Sequence, residues 1–127
     1  MATVRGMTDL NTADNLTSLA RQLQQFADAR DWGPFHSPKN LASALIVEAG
    51  ELLEHFQWLT EDQSRQLTPE KKQAVAHEMA DVLLYLVQLS TVLDIDLMDA
   101  AQAKLLLNAQ KYPVDLARGH SRKYDAL

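Results

Sequence analysis

Apolar residues recur at helical spacing through four segments of the chain, at about residues 12–30, 37–59, 68–93 and 97–112. The stretches between them are rich in Gly, Pro or polar side chains, which interrupt helices. The alternation of apolar and polar residues that is typical of half-buried strands does not occur. We therefore predict an all-α fold, a bundle of four main helices.

Three of these segments carry recognisable boundary signals. Ser37-Pro38 and Thr68-Pro69 each combine an N-cap hydroxyl with a proline at the first helical position. Asp96 can cap the fourth helix, and Pro113 ends it because proline lacks the backbone N–H that a helix needs. The boundaries given above follow from these signals together with the periodicity.

The third helix is apolar nearly all round between Met79 and Leu93. A helix of this kind is buried on every side. In a bundle of four helices, such burial requires either a central position or cover from a second subunit. We therefore expect a homo-oligomer.

Length and composition exclude several classes of protein. The chain has 127 residues, enough for one domain, which we place at 12–127 after a flexible leader at 1–11. The net charge of −5 argues against nucleic-acid binding, which needs a concentrated basic face. There is no cysteine, so disulfides, thiolate metal sites and cysteine nucleophiles are excluded.

No stretch of the sequence looks like an export signal or a membrane anchor. The first residues lack the apolar core of a signal peptide, and the apolar run within 82–93 is too short to cross a bilayer. We expect a soluble cytoplasmic domain with no membrane partner.

Two short acidic motifs stand in apolar surroundings: Glu48 with Glu51 on the second helix, and Glu78 with Asp81 on the third. The i, i+3 spacing puts both carboxylates of a pair on one helix face. Such a pair is usually a solvated face, but here its helical neighbours are largely apolar and the pattern occurs twice. Because clustered like charges repel and are costly to desolvate, we predict that a divalent cation binds between the pairs.

The chemistry of these ligands indicates which cation. Oxygen ligands without cysteine favour Mg²⁺, or Mn²⁺, over zinc. A di-iron site of the ferritin type also uses helix carboxylates, but it requires Glu-x-x-His motifs. The chain has none, since His55 lies four residues after Glu51 and His77 directly precedes Glu78.

Basic and amide side chains that suit phosphate groups occur at three places. These are Lys39 and Asn40 in the first turn of the second helix, Lys104, Asn108 and Lys111 on one stripe of the fourth helix, and Arg122 and Lys123 in the tail. Free backbone N–H groups at a helix start also attract anions. Taken singly, each lysine is better explained as a solvated surface residue; the alignment of the Lys104 stripe opposite an acidic pair makes the two interpretations about equal.

Aromatic and imidazole rings form a third group of candidates. They are Trp32, Phe35, His36, Trp58 and Tyr85. Rings of this kind can stack on a nucleobase, with a contribution of about 1–3 kcal/mol per base. They can also simply close the end of a helical bundle, and the pattern alone does not separate the two interpretations.

Several motifs together carry a resemblance to a known family. They are Arg30-Asp31-Trp32, Phe35-His36-x-Pro38-x-Asn40-Leu41, Glu48-x-Gly50-Glu51-Leu52-x-Glu54-x-Phe56-Gln57-Trp58, Glu78-x-x-Asp81-Val82-Leu83-x-Tyr85-Leu86, Lys104-x-x-x-Asn108-x-x-Lys111-Tyr112-Pro113 and Ala117-Arg118-Gly119-x-Ser121-Arg122-Lys123-Tyr124. From about Leu16 onward, the chain resembles the MazG-like all-α nucleoside triphosphate pyrophosphohydrolases, and within them the dCTP pyrophosphatase type.

The resemblance implies hydrolysis of a nucleoside triphosphate to a monophosphate and pyrophosphate. It implies that the four carboxylates bind Mg²⁺ and that the five rings named above line the base and sugar pocket. It also implies that Lys104, Asn108, Lys111 and Tyr112 approach the phosphates, and that the enzyme is a tetramer built from dimers. At one position the chain departs from the pattern: vertebrate members carry a histidine where this chain has Leu23.

The expected mechanism is metal-assisted hydrolysis, with Glu48 or Glu51 orienting or deprotonating the attacking water. The lysines would stabilise charge on the leaving pyrophosphate. Two alternatives remain open at this point. One is a pyrophosphatase that accepts several deoxynucleotides, dUTP included, and the other is a helical module that binds nucleotides or a partner without catalysis.

Overall fold

The computed structural model describes residues 12–123 and 125, and all the regular secondary structure within them is helical. Six helices follow one another, and a short 3-10 turn, Gly33–Phe35, separates the first two. The helices are α1 (Thr12–Ala29), α2 (Pro38–Glu54), α3 (Glu61–Ser64), α4 (Pro69–Val92), α5 (Leu97–Lys111) and α6 (Val114–Ala117). The all-α prediction is confirmed, and α1, α2, α4 and α5 are the four predicted long helices. The expected leader, 1–11, and Tyr124 lie outside the described residues.

The predicted helix starts are confirmed in atomic detail. The Ser37 hydroxyl accepts a hydrogen bond from the Asn40 backbone N–H at 3.1 Å, so it caps α2. The Thr68 hydroxyl caps α4 in the same way, and a carboxylate oxygen of Asp96 caps α5. Each cap satisfies one of the backbone donors that a helix start leaves without a partner.

The second helix ends earlier than the periodicity predicts, at Glu54 rather than near residue 59. The His55 backbone N–H bonds to the Leu52 carbonyl and the Phe56 N–H to the Leu53 carbonyl, which are i−3 bonds that tighten and end the helix. The connection that follows contains α3, because Thr60 and Gln63 form a reciprocal capping box at its start.

The described chain forms two compact units, one reaching to Asp94 and one starting at Ile95. In the first unit α4 packs against both α1 and α2. The side chains buried there are Ala27 on α1, Leu41 on α2, and Val75 and Val87 on α4. Helix α4 is therefore the central helix of this unit. It carries one acidic motif and packs against α2, which carries the other.

The second unit contains α5 and α6. Helix α5 carries the predicted stripe of Lys104, Asn108 and Lys111. Gly119, which follows α6, has a φ of +87°, a backbone conformation that glycine adopts without a steric penalty. Among the described helices of both units, none combines the length and the apolar character that crossing a bilayer requires.

Candidate active site

The packing of α2 on α4 brings three of the four predicted carboxylates together. Glu48, Glu78 and Asp81 each offer an oxygen, and these oxygens lie within 4.8 Å of one another. Glu51 is the remaining predicted carboxylate. It interacts with Glu48 one turn away on α2, and it does not belong to the group within 4.8 Å. The structure thus places the two acidic motifs at one site.

The site is electrostatically unfavourable for the protein alone. Burial, followed by the nearby carboxylates of Glu51, Glu78 and Asp81, raises the pKa of Glu48 from 4.5 to about 7. One oxygen of Glu48 and one of Glu78, both Oε2, are buried and accept no hydrogen bond from the described part of the chain. Buried acceptors normally have a partner, so these two oxygens need one that the side chains around them do not provide.

A hard divalent cation is a suitable partner. The three converging groups are all carboxylates, which are the ligands that Mg²⁺ and Mn²⁺ prefer. A cation between them would offset both the burial and the repulsion by neighbouring carboxylates that raise the pKa of Glu48. The residues therefore fit the metal predicted from the sequence.

A cavity of about 160 Å³ opens beside the carboxylates. Glu48 and Asp81 form part of its wall. The other lining residues are Leu23, Phe26, Trp32, His36, Leu84, Tyr85 and Gln88. Three of the predicted ring residues, Trp32, His36 and Tyr85, thus face the same space as the carboxylates.

The outer wall of this cavity is a chain of ring contacts. The rings of Phe26 and Trp32 meet edge to face with their centroids 5.6 Å apart, and Trp32 meets His36 at 6.2 Å. The guanidinium of Arg30 lies 3.5 Å from the centroid of the Phe26 ring, and its Nη1 donates to the Phe26 carbonyl at 3.0 Å. These contacts hold the end of α1 and the following turn in one arrangement.

The other two predicted ring residues lie elsewhere. Phe35 and Trp58 are 66% and 87% exposed, and neither lines this cavity within the described first unit. The Phe35 carbonyl accepts a hydrogen bond from the Asn40 side-chain amide at 3.0 Å. Asn40 therefore braces the turn between α1 and α2, and its predicted contact with phosphate remains a prediction.

The remaining predicted phosphate ligands belong to the second unit. Lys104, Asn108 and Lys111 lie on α5, and Tyr112 follows as its C-cap residue. Arg122 and Lys123 are exposed in the tail beyond α6. Their approach to a triphosphate remains a prediction from the sequence.

Three lining residues were missed in the sequence: Phe26, Leu84 and Gln88. Gln88 had a signal, because Glu78, Asp81, Tyr85 and Gln88 follow one another at i, i+3, i+7 and i+10, which keeps them on one face of α4. Phe26 had the weaker signal of lying three residues after Leu23 on an apolar face. Apolar periodicity alone could not separate a cavity wall from the core.

Comparisons with known proteins agree with this geometry. Residues 44–127 match the model of the MazG-like family. The chain is 42% identical over 114 residues to human dCTP pyrophosphatase 1, which covers 88% of this chain and 67% of the human protein. It is 37% identical over 127 residues to dCTP pyrophosphatase 1 of Bos taurus, covering 98% of this chain and 75% of the bovine protein.

A solved structure is similar as well. The crystal structure of a pyrophosphatase from Archaeoglobus fulgidus superposes with a TM-score of 0.74 at 39% sequence identity, covering 78% of this chain and 93% of the archaeal one. The family resemblance seen in the motifs is thereby confirmed. The carboxylate site formed by α2 and α4, the all-helical fold and the match over residues 44–127 lead to one conclusion: this chain belongs to the MazG-like family.

Proposed function

We propose that this protein hydrolyses dCTP, or a modified dCTP, to the monophosphate and pyrophosphate in a reaction that depends on Mg²⁺. The proposal rests on one observation: the carboxylate group lies directly beside a ring-lined cavity. Three carboxylate oxygens lie within 4.8 Å of one another, and the cavity they border is walled by Trp32, His36 and Tyr85. A metal-binding group beside a ring-lined cavity suits a ligand with phosphates at one end and a base at the other.

The general activity follows from the family and the relatives. The chain is a nucleoside triphosphate pyrophosphohydrolase of the MazG-like family. The preference for dCTP is carried over from the relatives, which are named for that substrate. The dependence on Mg²⁺ is supported by the carboxylate site.

The cation would be held by Glu48, Glu78 and Asp81, with Glu51 completing the acidic group. A divalent cation held by these residues would supply charge that neutralises the triphosphate and would make a nearby water more acidic. Glu48 and Glu51 lie together on α2, where either can orient the attacking water or accept its proton.

The other side chains have roles in binding. The rings of Trp32, His36 and Tyr85 offer flat surfaces to the base and sugar. Lys104, Asn108 and Lys111 on α5, and Arg122 and Lys123 in the tail, would offset charge on the leaving pyrophosphate. Phe35, Asn40, Trp58 and Tyr112 complete the proposed substrate-binding set.

We further propose that the enzyme is a homo-oligomer, a tetramer made of two dimers. The support is apolar exposure on the helices that carry the site. Ile46, Val47 and Leu53 on α2 are 69%, 58% and 59% exposed, and Met79 on α4 is 57% exposed. Large apolar side chains exposed together mark a surface that another protein covers.

We also propose that the protein is cytoplasmic. The absence of cysteine is compatible with the reducing conditions of that compartment.

A nucleotide panel tests the proposed activity. The purified chain is incubated with Mg²⁺ and dCTP, 5-methyl-dCTP, dUTP, dTTP, dATP or dGTP, and pyrophosphate and monophosphate are measured. We expect release of both products, fastest from the cytosine nucleotides, and loss of activity in EDTA. Comparable turnover of every base would indicate a broad pyrophosphatase instead, and no turnover of any nucleotide would indicate a non-catalytic binding module.

A further inference from the structure

Two hydrogen bonds from Asn40, in the first turn of α2, enclose His36. The side-chain Nδ2 donates to the Phe35 carbonyl at 3.0 Å, and the backbone N–H donates to the Ser37 hydroxyl at 3.1 Å. These acceptors belong to the residues directly before and directly after His36. The His36 backbone N–H donates to the Gly33 carbonyl at 3.0 Å. Because this N–H and the Phe35 carbonyl belong to one peptide unit, both polar groups of that unit are held.

The position of the His36 ring depends on this peptide unit. His36 has a φ of −100° and a ψ of 45°, which is neither helical nor extended, so its hydrogen-bonded surroundings specify it. Its side chain is half-buried and lines two cavities, the one of about 160 Å³ beside the carboxylates and another of about 230 Å³. Since the backbone dihedrals determine where a side chain points, rotation of this peptide unit would move the ring within the cavity wall.

The ring of His36 also contacts the rest of the ring wall. It meets Trp32 edge to face at 6.2 Å, and Trp32 meets Phe26 on α1 at 5.6 Å. Arg30 stabilises the α1 side of this wall through its contacts with Phe26. Asn40 has the corresponding place on the α2 side, since its amide holds the carbonyl that precedes His36. A shift at His36 would therefore extend to Trp32, which lines the same cavity.

We propose that Asn40 is a positioning residue, which keeps His36, and through it Trp32, in place in the cavity wall beside the carboxylates. The inference rests on the proposed function, since these rings are the proposed base and sugar side of that site. Because the Asn40 amide donates to the Phe35 carbonyl, its contribution to nucleotide binding passes through the turn instead of through a contact with phosphate. Loss of the amide should weaken binding of the nucleoside half of the substrate and leave the triphosphate half unchanged.

The decisive variant is Asn40→Ala, compared with the unaltered enzyme in Mg²⁺. Two inhibitors of dCTP hydrolysis represent the two halves of the substrate: deoxycytidine has the base and sugar, and inorganic tripolyphosphate has the phosphates. We expect KM for dCTP and the inhibition constant of deoxycytidine to rise roughly three- to tenfold, the scale of one hydrogen bond. The inhibition constant of tripolyphosphate and kcat should each change by less than about twofold.

Hydrogen exchange at the His36 backbone N–H provides a measurement that does not depend on turnover. Loss of the Asn40 bond frees the carbonyl of the same peptide unit, so the bond from this N–H to the Gly33 carbonyl should open more often. We expect NMR to show exchange roughly three- to tenfold faster in Asn40→Ala than in the unaltered protein.

Ser43→Ala is the matched control. The Ser43 hydroxyl, three residues after Asn40 on α2, donates to the Lys39 carbonyl at 2.9 Å, so it makes the same kind of exposed bond from side chain to backbone without reaching the turn. This variant should leave KM, both inhibition constants and the His36 exchange rate unchanged. Circular dichroism shows whether each variant is folded, and Asn40→Leu, which has nearly the same shape, replaces Asn40→Ala if it is not.

The outcomes separate this inference from the function on which it rests. If Asn40→Ala weakens tripolyphosphate as much as deoxycytidine, Asn40 contacts phosphate directly and the positioning role is wrong. If KM and the His36 exchange rate both stay the same, the turn holds without Asn40 and the inference is equally wrong. If the unaltered enzyme hydrolyses no nucleotide, the proposed function fails, and the His36 exchange rate alone then decides whether Asn40 holds the turn.

Discussion

Glu48 on α2 and Glu78 on α4 each bury one carboxylate oxygen, Oε2, that accepts no hydrogen bond from the described residues. Both carboxylates also belong to the group, with Asp81, whose oxygens lie within 4.8 Å of one another. Two carboxyl groups are thus held close on neighbouring helices, each with one buried oxygen unsatisfied. The closeness of these carboxyl groups destabilises the metal-free protein, and it also allows the site to bind a cation.

Glu78→Gln should therefore have opposite effects on activity and on stability. Pyrophosphate release should fall by about two orders of magnitude or more, since the loss of one ligand typically weakens a metal site strongly. The metal-free variant should be more resistant to urea, because one of the repelling charges is gone. Activity assays and urea unfolding in EDTA measure the two effects. Glu54→Gln, on the exposed side of α2, is the control and should keep its activity.

The stability of the metal-free protein should decrease as pH rises through neutrality. In the folded state the pKa of Glu48 is raised from 4.5 to about 7, chiefly by burial, so the folded chain holds this proton more tightly than the unfolded chain. The stabilisation from that proton is complete below the unfolded pKa and is lost as pH rises through about 7.

Urea unfolding in EDTA at pH values from 5 to about 8 measures this dependence. Glu48→Gln should flatten it, which separates the contribution of this group from those of the histidines. Addition of Mg²⁺ should restore stability most at the higher pH, because the cation competes with the proton. An equally steep dependence in Glu48→Gln would assign the effect to other groups.

Arg30→Ala should loosen the ring wall of the cavity. The guanidinium stacks on Phe26 at 3.5 Å and bonds to the Phe26 carbonyl, and Phe26 in turn contacts Trp32. We expect a loss of about 1 kcal/mol in stability, the usual scale for an exposed cation–π pair. KM for the nucleotide should rise a few-fold with a smaller change in kcat. Arg30→Lys keeps the charge and should recover part of KM; unchanged KM in Arg30→Ala would show that the wall holds without it.

Self-association should depend on the exposed apolar side chains of α2 and α4. Leu53 and Met79 line one apolar groove with Ala49, Leu52, Phe56 and Val75. Replacing Leu53 and Met79 together by Glu should lower the molecular mass seen by light scattering, because an interface cannot bury unpaired charges without a large cost. Met79→Leu keeps the apolar contact and should leave the mass unchanged. A mass that stays the same in the double variant would place the interface on another surface.

Local features of this protein follow from its sequence. The helix starts at Ser37, Thr68 and Asp96 were predictable because a cap and its partner lie within three residues of each other. The sharing of one helix face by Glu78 and Asp81 was equally predictable, because helical geometry alone determines it. The same geometry extends to Gln88, although its role in the cavity wall was not recognised from its position.

Only the tertiary structure decided which of these faces meet. The packing of α2 against α4 selects Glu48, Glu78 and Asp81 for the tight carboxylate group and leaves Glu51 beside it. The turn after α1 sends Trp32 into the cavity wall, while Trp58 lies beyond the early end of α2 and is exposed. Distances between helices depend on how all their side chains pack at once, whereas a helical period places residues only with respect to their own helix.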